Sequence, residues 1–274
     1  MTNASDTGAS GPQVHPEGVT LERSEGVAVL TIDREPDLNR LTPDVLTRLG
    51  LLAEALREDA GSHVLVITGA GDDVFSMGIL DPAIRASYSK DEIVRIVRLA
   101  NRVFDAVEAL PQIVIAAING KVVAGGAELC LACDIRYAAE HATMAFPESA
   151  WGGFPGGGAP VRLPMLVGRA RALELIATCR EVDAREMERL GLVQGVFPRG
   201  RLREAATAVA RRIAQHGPLA VRGAKRIAGA RQAPGFQASR ELSDALRQAL
   251  EWSRDVDEGI AAHREHRKPK FSGR

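Results

Sequence analysis

Ala116-Ala-Ile-Asn-Gly-Lys121, followed by Gly125-Gly-Ala-Glu-Leu129, Phe146-Pro-Glu148 and Pro155-Gly-Gly-Gly158, decides how this chain is read. The stretch holds two glycine clusters, Gly125-Gly126 and Gly156-Gly157-Gly158, and two glutamates, Glu128 and Glu148. Glycine has no Cβ, so its backbone can approach a ligand closely. A turn that opens into a helix leaves N–H groups unpaired and directed at whatever sits there. Backbone donors beside two carboxylates are the parts needed to stabilise an oxyanion and move protons next to it.

Working outward, residues 113–118 read as a buried strand, Gly126 as a helix start and residues 135–138 as the next strand. Upstream, residues 64–68 form a compact apolar strand followed by Gly69 and Gly71. Val19-Thr-Leu-Glu-Arg and Val27-Ala-Val-Leu-Thr-Ile flank Ser24-Glu25-Gly26, the pattern of a hairpin. Thr42-Pro43 opens a helix continued by Leu46, Leu49, Leu52, Ala53 and Leu56. Ser89 and Glu92 form a capping box ahead of an amphipathic helix that runs to about Leu110. Alternating strands and helices predict an α/β arrangement with parallel strands. From about Pro160 onward the pattern is helical. Asp183 and Glu186 open one segment, and three longer ones follow over 201–216, 218–230 and 237–252, separated by Gly217-Pro218 and Pro234-Gly235.

The 274 residues carry 35 Lys+Arg and 35 Asp+Glu, and a zero formal charge gives no footprint for nucleic acid. Hydrophobic residues make up 45% but aromatics only 4%, which predicts a mainly aliphatic core. The three cysteines, Cys130, Cys133 and Cys179, are an odd number that argues against a disulfide framework. Cys130 and Cys133 have the C-x-x-C spacing, but nothing completes a zinc site, and both read as small apolar residues on a buried helix. No apolar run approaches the roughly 20 residues that span a bilayer. Residues 1–16 lack the pattern of a secretory signal and read as a disordered tail, so a cytoplasmic location is expected. Gly69-x-Gly71 after a strand is no dinucleotide fingerprint, because the third position is Val74 and no helix begins there.

Seven pieces in order, Val64-Leu-Val-Ile-Thr-Gly69, Phe75-Ser-Met-Gly78, Ala116 to Lys121, Gly125 to Leu129, Cys133-Asp-Ile-Arg136, Phe146 to Glu148 and Pro155 to Gly158, resemble the enoyl-CoA hydratase/isomerase (crotonase) superfamily. The resemblance runs from about residue 19 to the C-terminus. It implies an α/β fold, a crotonase-like spiral of ββα units over residues 17–215, with a C-terminal helical trimerisation region over 216–274. It assigns the oxyanion-hole amides to Met77 and Gly125 and the catalytic carboxylates to Glu128 and Glu148. It places Gly78, Ile79, Trp151 and Gly156 at the substrate. Relatives commonly read Ala-Gly-x-Asp-Leu where this chain has Met77-Gly78-Ile79-Leu80-Asp81, so the acid falls one position late.

Retention of both glutamates favours addition of water across the 2,3 double bond of a trans-2-enoyl-CoA to give a 3-hydroxyacyl-CoA. The alternatives are a Δ3-Δ2 isomerase that uses Glu148 alone and a non-catalytic acyl-CoA-binding relative. Dehalogenation is discounted, because the relatives that carry it out need an Asp where this chain has Gly157, Gly158 and Ala159. The resemblance also implies no metal and no redox cofactor, with coenzyme A entering as part of the substrate, and a homotrimer or dimer of trimers. It further suggests that the basic segment 264–271 contacts CoA phosphates.

Overall fold

A computed structural model describes residues 13–15, 18–232 and 236–270. Three strands form one edge: Gln13–His15 (β1), Val19–Ser24 (β2) and Val27–Ile32 (β3), paired antiparallel in that order. The β2–β3 turn has Glu25 and Gly26 at φ 52° and 78°, two consecutive left-handed residues that match the strand twist of a tight hairpin. Strand β1 corrects the expectation of a disordered tail at residues 13–15; residues 1–12 and 16 lie outside the described residues. Helix α1, Pro43–Glu58, starts where Thr42 Oγ1 accepts from Val45 N at 3.3 Å, and buries Val45, Leu46, Leu49, Leu52, Ala53 and Leu56.

The next elements repeat. Strands Val64–Gly69 (β4) and Val74–Ser76 (β5) lead to helices Pro82–Arg85 (α2) and Lys90–Glu108 (α3). Ile113–Ile118 (β6) and Lys121–Val123 (β7) lead to Gly125–Leu131 (α4). Ile135–Ala139 (β8) and Thr143–Ala145 (β9) lead through a 3-10 turn, Pro147–Trp151, to Ala159–Val167 (α5) and Arg169–Thr178 (α6). The first strand of each pair joins one sheet and the second joins another. Both series advance in parallel, β4-β6-β8 and β5-β7-β9. Each ββα unit therefore moves one strand along in two sheets at once, which is the expected spiral. Strand β4 is buried at all six positions, as a parallel strand covered on both faces must be.

Val182–Asp183 (β10) pairs antiparallel with β9, helix α7 spans Ala184–Leu190, and Val196–Phe197 (β11) closes the seven-stranded sheet against β8. Helix α8, Leu202–Ala214, lies across β3, β4, β6 and β8. Helices Pro218–Gln232 (α9), Phe236–Glu251 (α10) and Arg254–Arg264 (α11) form the C-terminal region. Helix α10 packs on α3 and α5, and α11 packs on α2 and the 3-10 turn. Pro234-Gly235, expected to part the last two long helices, lies outside the described residues. No helix among the described residues is long and apolar enough to cross a membrane.

Candidate active site

The spiral brings the ends of β5 and β7 together. Helix α4 opens directly after β7, and the joint residue Ala124 sits at φ 53°, ψ −127°, a conformation that L-residues rarely adopt. Such strain persists only where the surroundings enforce it. Here Ala124 N donates to Ala145 O at 3.0 Å and Ala124 O accepts from Glu128 N at 3.0 Å. The amide of Gly125, first in the helix, has no partner among the described residues. A Cβ at Gly125 would fall 2.6 Å from Ile79 Cγ1 and 2.7 Å from its Cδ1, so a side chain at 125 would run into that of Ile79. Gly78, at φ 81°, approaches from the other side, where a Cβ would lie 3.0 Å from Gly125 N.

Met77 does not supply the second amide. Its N–H donates to Leu38 O at 3.1 Å, and that of Gly78 donates to Ser76 Oγ at 3.1 Å. The amide that stands beside Gly125 with no partner among the described residues belongs to Ile79. The left-handed turn at Gly78 carries the chain past the ladder and releases this N–H, two residues beyond the position read from sequence. Asp81, the acid one position late, caps α2 by accepting from Ile84 N at 2.9 Å and pairs with Arg40 at 2.7 Å.

Glu128 lies one turn into α4 and is 2% exposed. Gly157 N donates to its Oε2 and Ala159 N to its Oε1, each at 2.9 Å. A Cβ at Gly157 would stand 2.5 Å from Glu128 Oε2, which is why this loop is glycine. Burial pushes the Glu128 carboxyl above its ordinary range; the Ala159 and Gly157 amides and the charges of Arg162 and Arg240 oppose that shift.

Glu148 stands in the 3-10 turn after Pro147. The residue is half-buried overall, yet its Oε2 is fully buried and, among the described residues, has no hydrogen-bond partner. Its carboxyl is pushed well above the ordinary range, by burial first and then by the charge of Glu128. Arg247 acts in the opposite sense. The two carboxyls thus differ in kind: Glu128 is held by two amides, whereas Glu148 carries an unsatisfied oxygen in a place that favours its protonated form. An unsatisfied buried carboxyl oxygen is costly to stability, and functional sites are where such costs persist.

Trp151 closes the 3-10 turn and is half-buried, with its carbonyl against Gly259 of α11. Gly156 packs on Arg247 and Val97; of the triple glycine, it is Gly157 whose amide binds a carboxylate. Cys130 and Cys133 are buried and free, the second with its thiol pushed up to about 12 by burial, and no group of metal-binding side chains occurs among the described residues. The sequence reading missed Arg162, Arg240 and Arg247, which surround the glycine loop. Only their charge at otherwise buried helical positions could have marked them.

A family model described as enoyl-CoA hydratase/isomerase matches residues 22–274. The chain belongs to the enoyl-CoA hydratase/isomerase family. Its similarity to the crotonyl-CoA hydratase of Syntrophomonas wolfei is 36% identity over 258 residues, covering 93% of this chain and 98% of that protein. An enoyl-CoA hydratase structure from Bacillus anthracis superposes with TM-score 0.76 at 35% identity, over 94% of this chain and all of that one. A carnitinyl-CoA hydratase from Mycobacterium avium superposes with TM-score 0.83 at 31% identity, over 95% and 100%. The two superposed structures share the fold described here over nearly the whole of this chain.

Proposed function

We propose that this enzyme adds water across the 2,3 double bond of a trans-2-enoyl-CoA, giving a 3-hydroxyacyl-CoA. The observation that carries this reading is the pair of carboxyls, Glu128 held by two amides and Glu148 with a buried oxygen lacking a partner, together with the Gly125 and Ile79 amides that have no partner among the described residues. The thioester oxygen accepts from the N–H groups of Gly125 and Ile79. Charge grows on that oxygen as the β carbon is attacked, and each such donor supplies about 3 kcal/mol of transition-state stabilisation. Glu128, held by two amide donors and near two guanidiniums that oppose the burial-driven rise of its carboxyl, takes a proton from water as the water oxygen bonds to the β carbon. Glu148, whose surroundings favour the protonated form, delivers its proton to the α carbon. The proton gained by Glu128 returns to Glu148 before the next turnover, so the pair titrates as a unit.

Coenzyme A enters as part of the substrate, and no metal or redox group is needed for these steps. A homotrimer or dimer of trimers fits the exposed apolar side chains of α9, where Leu219 is 81% and Ile227 73% exposed two turns apart. Replacing Glu128 by Ala separates hydration from the isomerase alternative. A hydratase loses turnover of 2-enoyl-CoA, whereas an isomerase that works through Glu148 alone keeps much of its rate on a 3-enoyl-CoA.

A further inference from the structure

Three arginines touch the glycine loop that binds Glu128. A Cβ at Gly156 would stand 3.0 Å from Arg247 Cδ and 3.1 Å from its Nε. At Gly158 it would stand 3.1 Å from Arg240 Nη2 and would collide with Arg162 Nη1. Arg162 comes from α5, next to the loop in sequence. Arg240 and Arg247 come from α10, seven residues apart and therefore on one face. They are only 6% and 5% exposed.

Both are tied at their outer ends. Arg240 donates to Asn101 Oδ1 at 2.8 Å and to Asp105 Oδ1 at 2.6 Å, and Asp105 also holds Arg162. Arg247 donates to Glu251 Oε2 at 2.6 Å, and Glu251, 1% exposed, also accepts from Arg85 at 2.5 and 2.6 Å. Arg85 and Arg247 thus share one buried carboxylate, and Arg247 acts on Glu148. Burying cations is unfavourable where packing alone is the need, because an apolar side chain of similar size would serve better.

We propose that Arg240 and Arg247 are positioning residues for the proton transfers, seating the Gly156–Gly158 loop so that Glu128 and Glu148 are correctly set only when the C-terminal helix α10 is docked. The identity of those transfers rests on the hydration reading; the contacts do not. The groups that face Glu148 are Glu128 from α4, Arg247 from α10, Arg85 from α2 through Glu251, and Cys179 at the end of α6. Helix α11 meets the turn through Gly259 and turns Asp257 toward Arg85. Glu128 is faced by Arg162, Arg240 and Glu148, with Asp105 behind the two arginines. The rise at Glu148 is opposed first by its own backbone hydrogen bond and then by Arg247, and that at Glu128 by the Ala159 and Gly157 amides and then by Arg162 and Arg240.

The test is a carboxyl-carbon NMR titration of the full chain with labelled glutamate, the two signals assigned by Glu128→Gln and Glu148→Gln. Arg247→Met is expected to move the Glu148 midpoint upward by about one pH unit, and Arg240→Met to move that of Glu128 in the same direction. Arg247→Lys, which keeps the charge, is expected to restore most of the Glu148 position. In crotonyl-CoA turnover the Met variants are expected to lose about tenfold in kcat with KM little changed, as positioning residues do. Unmoved titrations alongside a lower melting temperature would overturn the proposal and leave the arginines as packing. Parent protein that hydrates nothing would overturn the hydration reading instead, while the titrations still decide the role of the arginines.

Discussion

At the scale of single residues, Glu148 combines a buried carboxyl oxygen without a partner among the described residues with a carboxyl pushed well above its ordinary range by burial. Its folded-state carboxyl lies above the unfolded value, so between the two values the native state binds more protons than the unfolded one. Stability contributed by the protonated carboxyl is present below the ordinary carboxylate range and is lost as pH rises through the raised value. Glu148→Gln, a neutral isostere, is therefore expected to raise the melting temperature at pH 7 to 8, with the gain closing as pH falls toward about 4.3. A gap that widens toward acid would mean that Glu148 is instead stabilised as a carboxylate. A second residue-scale expectation concerns the amides. Replacing the amide of Ile79 by an ester is predicted to lower kcat by about 10²–10³, whereas an ester at Met77 removes the bond to Leu38 O and should affect stability more than kcat. Equal kinetic losses at both positions would contradict the assignment to Ile79. Glu128 and Glu148 were marked out by the resemblance, since on their own a helix-start acid and a turn acid read as ordinary polar residues. The shift from Met77 to Ile79 was not, since it depends on Leu38, a residue remote in the chain that takes up the earlier amide.

At the scale of elements, the long strands β4, β6 and β8 follow directly from apolar runs, and the capping box at Ser89 and Glu92 forms as read. Their partners β5, β7 and β9 have three residues each, too few to show a period of two, so the second sheet was invisible before the fold was known. Phe75, Val122 and Met144 tie that sheet into the common apolar core, and buried asparagines add polar ties at its corners. Asn119 Oδ1 accepts from Gly69 N at 3.0 Å, and its Nδ2 donates to Gly71 O at 2.8 Å, bridging the β6–β7 corner to the β4–β5 corner. Asn39 does the same from outside, donating to Ala70 O and Val74 O at 2.9 and 2.7 Å. Asn119→Ala leaves a buried amide and carbonyl unpaired and should cost about 1–3 kcal/mol in chemical denaturation. Because β5 leads straight to Ile79, the same variant should lose kcat as well. A full loss of stability with kcat intact would show that the corner does not position the oxyanion site.

At the scale of the molecule, the order of strands brings the Gly125 and Ile79 amides to one joint of the spiral, and the C-terminal helices α10 and α11 pack on α3, α5, α2 and the 3-10 turn. The α/β class was legible from alternation alone. The spiral needed the resemblance, because no repeat is visible between the ββα units: β4, β6 and β8 share apolar character, but the helices after them differ in length from 4 to 19 residues. The inward arginines of α10 escaped notice because on a helical pattern they read as a solvated face, and only docking against the Gly156–Gly158 loop turns them inward. The account as a whole stands on the claim that Glu128 and Glu148 serve hydration. Its most direct test is the loss of enoyl-thioester absorbance when purified protein meets crotonyl-CoA and longer trans-2-enoyl-CoAs, with the product weighed by mass spectrometry. The predicted result is a product heavier by one water, formed by the parent and not by Glu148→Ala. Unchanged absorbance at every chain length, in protein that demonstrably binds the CoA esters, would contradict it.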